Sequence, residues 1–256
     1  MTLLLSDPWI FATALASVIL IGLSKGGLGG AAAVMGVPLM SLVMSPIEAA
    51  AVLLPILIVA DIVSLWTWRG YRDGHTLRLM LPGALIGVAI GWALAANVSE
   101  AAVRLIVGLV AGLFAARWFW GKWRSSGQAA APSMIRAGIW STVSGYTSFV
   151  AHAGGPPFQM YALPLGLHPR IYTGTSVIYF AVVNAVKVAP YFALGQFSSQ
   201  NLSASLLLVP AAPLSTLAGA FIIKRMSPEV FYPFTYIMMA LVSVKLIWDG
   251  VSGLVG

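Results

Sequence analysis

The sequence predicts an all-α polytopic membrane protein with about ten transmembrane segments, arranged as two inverted five-segment repeats. The first observation is composition: 59% of the 256 residues are hydrophobic and 8% are charged, whereas roughly a quarter of residues are charged in soluble proteins. The second is that uncharged apolar runs reach the roughly 20 residues that cross a bilayer as a helix. The third is that two glycine-rich breaks stand at corresponding points of the two halves.

The first half contains four long segments and one short one. Residues 9–24 and 79–99 carry no charge at all, which favours full spans. The short segment of 14 residues after the first glycine break is either a short crossing supported by protein or a re-entrant arm. The segments of this half are expected at about 8–25, 31–44, 47–68, 77–97 and 101–121.

The second half repeats that order, and residues 202–223 again carry no charge. Its short segment follows the second glycine break and leaves the same two alternatives. We therefore divide the chain into a first transmembrane repeat (1–124), a cytoplasmic linker (125–133) and a second transmembrane repeat (134–256). The segments of the second half are expected at about 134–152, 156–167, 170–194, 201–223 and 228–249.

The duplication is read from residues that recur at a nearly constant offset. Asp61 corresponds to Asn184, which is an offset of 123, and Pro82 corresponds to Pro210, which is an offset of 128. The gain of five falls in one loop. One unit of about five segments has therefore been duplicated.

The basic residues arbitrate the topology, because Lys and Arg concentrate in cytoplasmic loops. If all ten segments cross, the basic connections fall on one side and both termini lie on the other, which we take to be the periplasm of a bacterial inner membrane. An odd number of segments then inverts the second half relative to the first. The residues on the basic side would be Arg69, Arg72, Arg78, Arg117, Lys122, Arg124, Arg136, Arg170, Lys224 and Arg225.

Both glycine breaks interrupt apolar runs, at 26–30 and at 153–157. Backbone that is not helical at bilayer depth is tolerated where it is buried in protein or lines a cavity. Broken segments in matching positions of two halves indicate a solute-binding site. Pro156 and Pro157 suit the first turn of a helix, where a missing N–H costs little. Such a helix would direct its N-terminal dipole toward the site.

Few ionisable side chains fall inside the predicted spans, and such residues usually mark a pathway or site. Two are lysines and a third, Asp61, corresponds to Asn184 in the other half, as a central two-fold site would require. The lysines favour an anionic solute, and Asp61 is the candidate for coupling to protons. Ser24, Ser148 and Tyr161 could add hydrogen bonds. The residues expected to bind the solute are Lys25, Gly29, Gly30, His152, Gly154, Gly155, Gln159, Asn184 and Lys187.

Simpler interpretations stand beside these. Lys25 could extend to the interface from a span end, Lys187 could form a structural pair with Asp61, and His152 could be an ordinary loop histidine. Glycines at four-residue spacing indicate close helix packing, and tryptophans near span ends indicate an interfacial belt. The glycines are Gly83, Gly87 and Gly91, and the tryptophans are Trp66, Trp68, Trp118, Trp120 and Trp123.

Other function classes lack their motifs. The chain has no cysteine, and we find no HExxH, GxSxG or GxxxxGK[ST] pattern, so we expect no enzyme, metal, cofactor or ATP-driven pump. The +7 net charge lies mostly in short connections, which argues against nucleic acid binding. The first apolar run lacks a preceding basic residue, and we interpret it as a retained span.

The stretch Gly22-Leu-Ser-Lys-Gly-Gly-Leu-Gly-Gly30, the short segment that follows it and Ala151-His-Ala-Gly-Gly-Pro-Pro157 resemble the TauE/SafE family of membrane transporters. The resemblance covers essentially the whole chain. It implies a solute such as sulfite, a sulfonate, sulfoacetate or another small organic anion, moved in either direction. Family members are commonly described with seven or eight spans, whereas we count ten. They often have a small residue where this chain has His152.

The sequence therefore predicts a secondary transporter that works by alternating access on a small sulfur-containing anion, with proton coupling as an option. The alternatives are a passive anion channel and a transporter of small carboxylates. The expected partners are the anionic solute and the lipid bilayer, and a homodimer is left open as the assembly.

Overall fold

The computed structural model describes residues 7–28, 36–44, 46–94, 98–124, 129–193 and 199–255. These ranges are helical with short connections and contain no strand, which confirms the predicted all-α class. A π-helical turn (Ser24–Leu28) follows α1, and a 3₁₀ turn (Leu163–Leu165) follows α7. The α-helices of these ranges are α1 (Pro8–Leu23), α2 (Gly36–Met40), α3 (Pro46–Thr67), α4 (Gly74–Leu94), α5 (Glu100–Arg124), α6 (Met134–Ala151), α7 (Gly155–Ala162), α8 (Pro169–Ala193), α9 (Ser199–Leu208), α10 (Ala211–Lys224) and α11 (Pro228–Val255).

Five stretches within the described residues are long and apolar enough to cross a bilayer, so the protein is a multi-pass membrane protein. They belong to α1, α4, α5, α8 and α11, and the bent pair α9 and α10 makes a sixth if it counts as one span. The short segments are represented by α2 and α7. The eight residues of α7 rise only about 12 Å, well short of the roughly 30 Å hydrocarbon core. A count of ten crossings stays a prediction.

The span expected at 201–223 is not one straight helix. It consists of α9 and α10, which meet at 47°. Pro210 stands at the joint and Pro213 lies just inside α10. Each proline removes a backbone donor and clashes with the carbonyl four residues earlier, and two prolines this close break the helix. The corresponding helix α4 contains only Pro82 and stays continuous.

The long helices begin where their sequences supply caps. Asp7 accepts a hydrogen bond from the backbone N–H of Trp9 at 2.8 Å, with Pro8 at the first position of α1. Ser133 accepts from the N–H of Arg136 at the start of α6. Both patterns satisfy amide groups that the first helical turn leaves without partners.

Glycines allow the main helix pairs to approach closely. A Cβ on Gly87 would overlap the carbonyl of Thr142 and lie 2.7 Å from the N of Tyr146. A Cβ on Gly83 would overlap the hydroxyl of Ser141, and on Gly91 it would lie 2.9 Å from the Cβ of Phe149. The predicted packing role of these three glycines is confirmed, and α4 is held against α6.

The other helices form corresponding pairs. Helix α10 packs against α1, α11 packs against α5, and α3 packs against α8. A Cβ on Gly219 of α10 would overlap the carbonyl of Leu23. Helix α4 of the first half thus packs on α6, the first helix of the second half, and α10 of the second half packs on α1, the first helix of the first half. This reciprocal pairing is the pattern expected if a two-fold axis relates the two halves.

Several connections meet at one end of the bundle, which we call the basic end. The N–H of Ala130 donates to Pro164 O at 2.8 Å, so the residues before α6 and after α7 lie together. Lys224 Nζ donates to Thr67 O at 3.0 Å, and the Arg170 guanidinium donates to Lys224 O at 2.8 Å. Helices α3 and α10 thus end where α8 begins, and α3 and α8 run in opposite directions.

Gly87→Ala should destabilise the protein by about 1–3 kcal/mol, because the new methyl group meets backbone atoms of α6 that cannot move independently. Gly138→Ala is the matched control, since a Cβ there meets nothing within 4 Å. Thermal unfolding of both variants in detergent measures the difference. Equal melting temperatures would show that α4 and α6 are not closely packed at Gly87.

Candidate solute-binding site

A cavity of about 60 Å³ lies where the π-helical turn after α1, the break between α6 and α7, and helices α3 and α8 meet. Gly154 and Gly155 of the second glycine break line it, and Ser24 and Lys25, which directly precede the first break, line it from the other half. Its polar lining comes from both halves of the chain. These residues are Ser24, Lys25, Ser148, His152, Ser176, Asn184 and Lys187.

Asp61 binds two of the polar residues at once. Its Oδ1 lies 2.6 Å from Lys25 Nζ, and its Oδ2 accepts a hydrogen bond from Asn184 Nδ2 at 2.6 Å. The side chains of Lys25 and Asp61 are 11% and 5% exposed. Lys25 therefore points into the protein and not toward the interface, and the carboxylate cross-links the first break to α8.

Lys187 is 1% exposed and has a different kind of partner. Its Nζ donates to the carbonyl of Ser148 at 2.9 Å and lies 3.3 Å from the Ser148 hydroxyl. Among the described residues no carboxylate lies at ion-pair distance from it, and Asp61 pairs with Lys25 instead. The site thus contains a buried ammonium group whose contacts are neutral oxygen atoms.

The backbone contacts near the two lysines are ones that the predicted repeat would relate. Ser64 Oγ donates to Lys25 O at 2.9 Å, and Lys187 Nζ donates to Ser148 O. Residues 25 and 148 differ by 123, and so do residues 64 and 187. Each half therefore supplies one lysine and one serine to equivalent bonds, with the lysine at the break in one half and on the long helix in the other.

Asn184 and Asp61 complete this arrangement. They stand at the same offset of 123 and bind each other directly. Two equivalent residues are expected to meet when they lie on the axis that relates two halves. The offset of 123 between the two halves also relates Ser64 to Lys187 and Lys25 to Ser148. The sequence analysis named Ser148 as a candidate but not Ser64.

The second break is shaped by its backbone. His152 ends α6 in the left-handed conformation (φ 52°, ψ 23°) and lines the cavity. A Cβ on Gly154 would lie 2.7 Å from the carbonyl oxygen of Ser144, whose hydroxyl donates to Gly154 O at 2.7 Å. Glycine is therefore required for this close approach. As predicted, Pro156 and Pro157 form the first turn of α7, which begins at Gly155 beside the cavity.

Not all of the predicted residues meet at the cavity. Gln159 and Tyr161 are each 1% exposed but do not line it. The side-chain amide of Gln159 finds no hydrogen-bond partner among the described residues, although Tyr172 lies nearby. Gly29 and Gly30 lie outside the described residues. The predicted residues that line the cavity are Lys25, His152, Gly154, Gly155, Asn184 and Lys187, together with the hydrogen-bonding candidates Ser24 and Ser148.

Apolar side chains form the rest of the cavity wall, and sequence reasoning missed them. The Lys25 ammonium lies 5.8 Å from the centre of the Phe180 ring, within the range of a cation–π interaction. The sequence of an apolar span does not show which of its apolar residues line a cavity and which contact lipid. The other apolar lining residues are Ile21, Leu53, Leu57 and Val177.

The prediction that Trp68 belongs to an interfacial belt is wrong. Its side chain is 1% exposed, and its indole N–H donates to Gly26 O at 3.0 Å. Trp66 and Trp120 are 62% and 71% exposed, as belt residues would be. The end of a span next to a broken helix needs donors for carbonyls that the helix no longer satisfies. Trp68 supplies one such donor, to Gly26 O, and its ring covers the first break at the basic end.

His152→Gly should be more stable than His152→Ala by about 1 kcal/mol, because both variants lose the imidazole but only glycine adopts the left-handed conformation without cost. Thermal unfolding in detergent measures this difference. If alanine is tolerated as well as glycine, the left-handed backbone at the end of α6 is not required.

Comparison with protein families matches the chain to the family described as sulfite exporter TauE/SafE, over residues 14–246. Neither the curated proteins nor the solved structures contain a match. The matched range includes both glycine breaks and every residue that lines the cavity. Members of this family are membrane transporters, not enzymes. The chain therefore belongs to the TauE/SafE family, whose name associates it with the transport of sulfur-containing anions.

Proposed function

We propose that the protein is a secondary transporter of a small sulfur-containing anion, such as sulfite or a sulfonate like sulfoacetate, in the bacterial inner membrane. The observation that carries this proposal is the buried Lys187 ammonium, which borders the cavity with neutral partners. A charge at bilayer depth costs several kcal/mol by most scales and usually has a functional partner. An anionic solute would be that partner.

The remaining lining supports an anion as well. Lys25 adds a second ammonium group, and Gly155, the first residue of α7, adds one backbone N–H at a helix N-terminus, since Pro156 and Pro157 have none. A cavity needs about 10–15 Å³ for each water molecule. A volume of about 60 Å³ therefore accommodates an anion about as large as a few waters. Sulfite and the head group of a sulfonate are of that size.

Alternating access is supported by the relation between the two halves. Equivalent helices α3 and α8 run in opposite directions, and equivalent residues bind each other or make equivalent bonds. Two inverted halves around one central site suit a carrier, because an exchange of their conformations opens the site to the opposite side. The inverted repeat is part of this proposal.

Asp61 is the proposed coupling residue. Its carboxylate holds Lys25 at 2.6 Å, so a proton on Asp61 would weaken that ion pair and make the ammonium available to the solute. Proton entry and anion binding would then favour each other, as co-transport requires.

Lys187→Met should reduce uptake of a labelled sulfonate into proteoliposomes at least about tenfold, because the solute loses its buried counter-charge. Lys245→Met is the matched control, since Lys245 pairs with Asp249 on α11 and does not line the cavity. Both variants should elute as monodisperse protein in detergent. Normal uptake by Lys187→Met would remove Lys187 from the site.

The same vesicles separate a carrier from the two alternatives. A carrier shows saturable uptake that unlabelled sulfonate on the opposite side accelerates, whereas a passive channel shows no such acceleration. Competition by acetate as strong as competition by methanesulfonate would indicate a carboxylate transporter.

Single cysteines should report the proposed topology directly, because the natural chain contains none. With ten crossings, Arg72→Cys and Ser227→Cys lie on the cytoplasmic side and Ser99→Cys lies in the periplasm. All three positions are exposed. A membrane-impermeant maleimide applied to intact cells should label only Ser99→Cys. Labelling of Arg72→Cys but not Ser227→Cys would show that the short segments return to the side they entered from.

A further inference from the structure

We propose that Asp61 sets the charge of the transported anion, so that the site accepts a monoanion in preference to a dianion of the same shape. This inference rests on the proposed transport function and narrows its substrate class to monoanions such as hydrogen sulfite or a simple sulfonate, whereas sulfoacetate, with two negative charges at pH 7, would be disfavoured. It follows from the charges that the two halves bring to the cavity and from the single carboxylate that opposes them.

The charged groups at the site leave a single positive charge. Lys25 and Lys187, both counted as protonated, contribute two ammonium groups to the cavity wall, and Asp61, which is bound to Lys25 but does not itself line the cavity, contributes one carboxylate. His152, counted as neutral at pH 7, also borders the cavity. Arg104 lies within electrostatic range of His152 but is paired with Glu100. One monoanion would therefore neutralise the charges that the described residues place here.

The asymmetry between Asp61 and Asn184 produces this balance. The two residues hold equivalent positions and bind each other at 2.6 Å. An amide at position 184 keeps a donor for the Asp61 carboxylate without adding a second negative charge. With a carboxylate in both positions the two lysines would be fully compensated, and no net positive charge would remain to attract an anion. With an amide in both, the site would hold two uncompensated cations.

Charge balance decides selectivity here because the groups are buried. Lys187 is 1% exposed, and the Asp61 side chain is 5% exposed. One unit charge in excess, a few ångström from the others and poorly screened by water, changes affinity by more than about tenfold. A dianion would bring such an excess, whereas a monoanion would not. The preference for a monoanion therefore belongs to the state in which Asp61 is a carboxylate, and a proton on Asp61 would leave two positive charges at the site and favour a dianion instead.

Methanesulfonate and sulfate are suitable probes at pH 7. Both are tetrahedral about sulfur, and they differ in that a methyl group replaces one oxygen and one negative charge. The measurement is the ratio of their dissociation constants, obtained by isothermal titration of the purified full-length protein. The natural protein should bind methanesulfonate more tightly.

Asp61→Asn should shift this ratio toward sulfate by at least about tenfold, because the site then carries two positive charges. Asn184→Asp should weaken both anions, because the added carboxylate cancels the remaining positive charge. The double variant Lys25→Met/Asp61→Asn removes one charge of each sign and should restore the preference for methanesulfonate. A purely structural ion pair would change the melting temperature of these variants without changing the ratio.

An unchanged ratio in Asp61→Asn would overturn the inference and leave the proposed transport of anions standing. Failure of the natural protein to bind or transport any anion would instead overturn the proposed function, and this inference with it. If Asp61→Asn does not yield monodisperse protein, the double variant decides, because it leaves no unpaired Lys25. A preference for sulfate in the double variant would contradict the role assigned to Asp61.

Discussion

The contact of Asp61 with Lys25 and Asn184 is the interaction on which the arrangement of the site depends. It joins the break after α1 to α3 and α8, and so ties the two halves together at the cavity. Burying an ion pair costs desolvation, and the loss of one partner leaves a charge that the interior cannot solvate. Asp61 is therefore constrained from both sides, by the ammonium on one oxygen and by the amide on the other.

Close helix packing makes that contact feasible. Side chains as short as Asp61 and Asn184 meet only if their helices approach closely, and glycines that contact neighbouring backbone permit this elsewhere in the bundle. Gly26 and Gly154 do the same at the breaks, where a Cβ would meet Gly219 or Ser144. In lipid, association of helices relies on such packing, because the hydrophobic effect no longer drives it. The cavity therefore lies between helices that are in close contact elsewhere along their length.

The sequence was sufficient for the helical class, most helix positions and the main polar residues, because charges and repeated glycines are rare in apolar spans. It did not predict which lysine pairs with Asp61, since that depends on how each helix is rotated about its axis. It also missed the bend at Pro210, because the corresponding Pro82 lies in a continuous helix. Phe180 was missed because one apolar face of a membrane helix resembles another. Gln159 was predicted from proximity in sequence alone, and the structure places it outside the cavity wall.

The location of Asp61 also bears on biogenesis, because a membrane protein is inserted as it is synthesised. Lys25 and Asp61 belong to the first half, so their ion pair can form before α8 leaves the ribosome. Residues 134–256 contain two acidic residues, Glu229 and Asp249, and both lie on α11, which is made after α8. Lys187 therefore enters the bilayer with no carboxylate of its own half nearby. The oxygens that accept its hydrogen bonds are those of Ser148, on α6 of the same half, and the carboxylate closest to the cavity comes from the half that is already made.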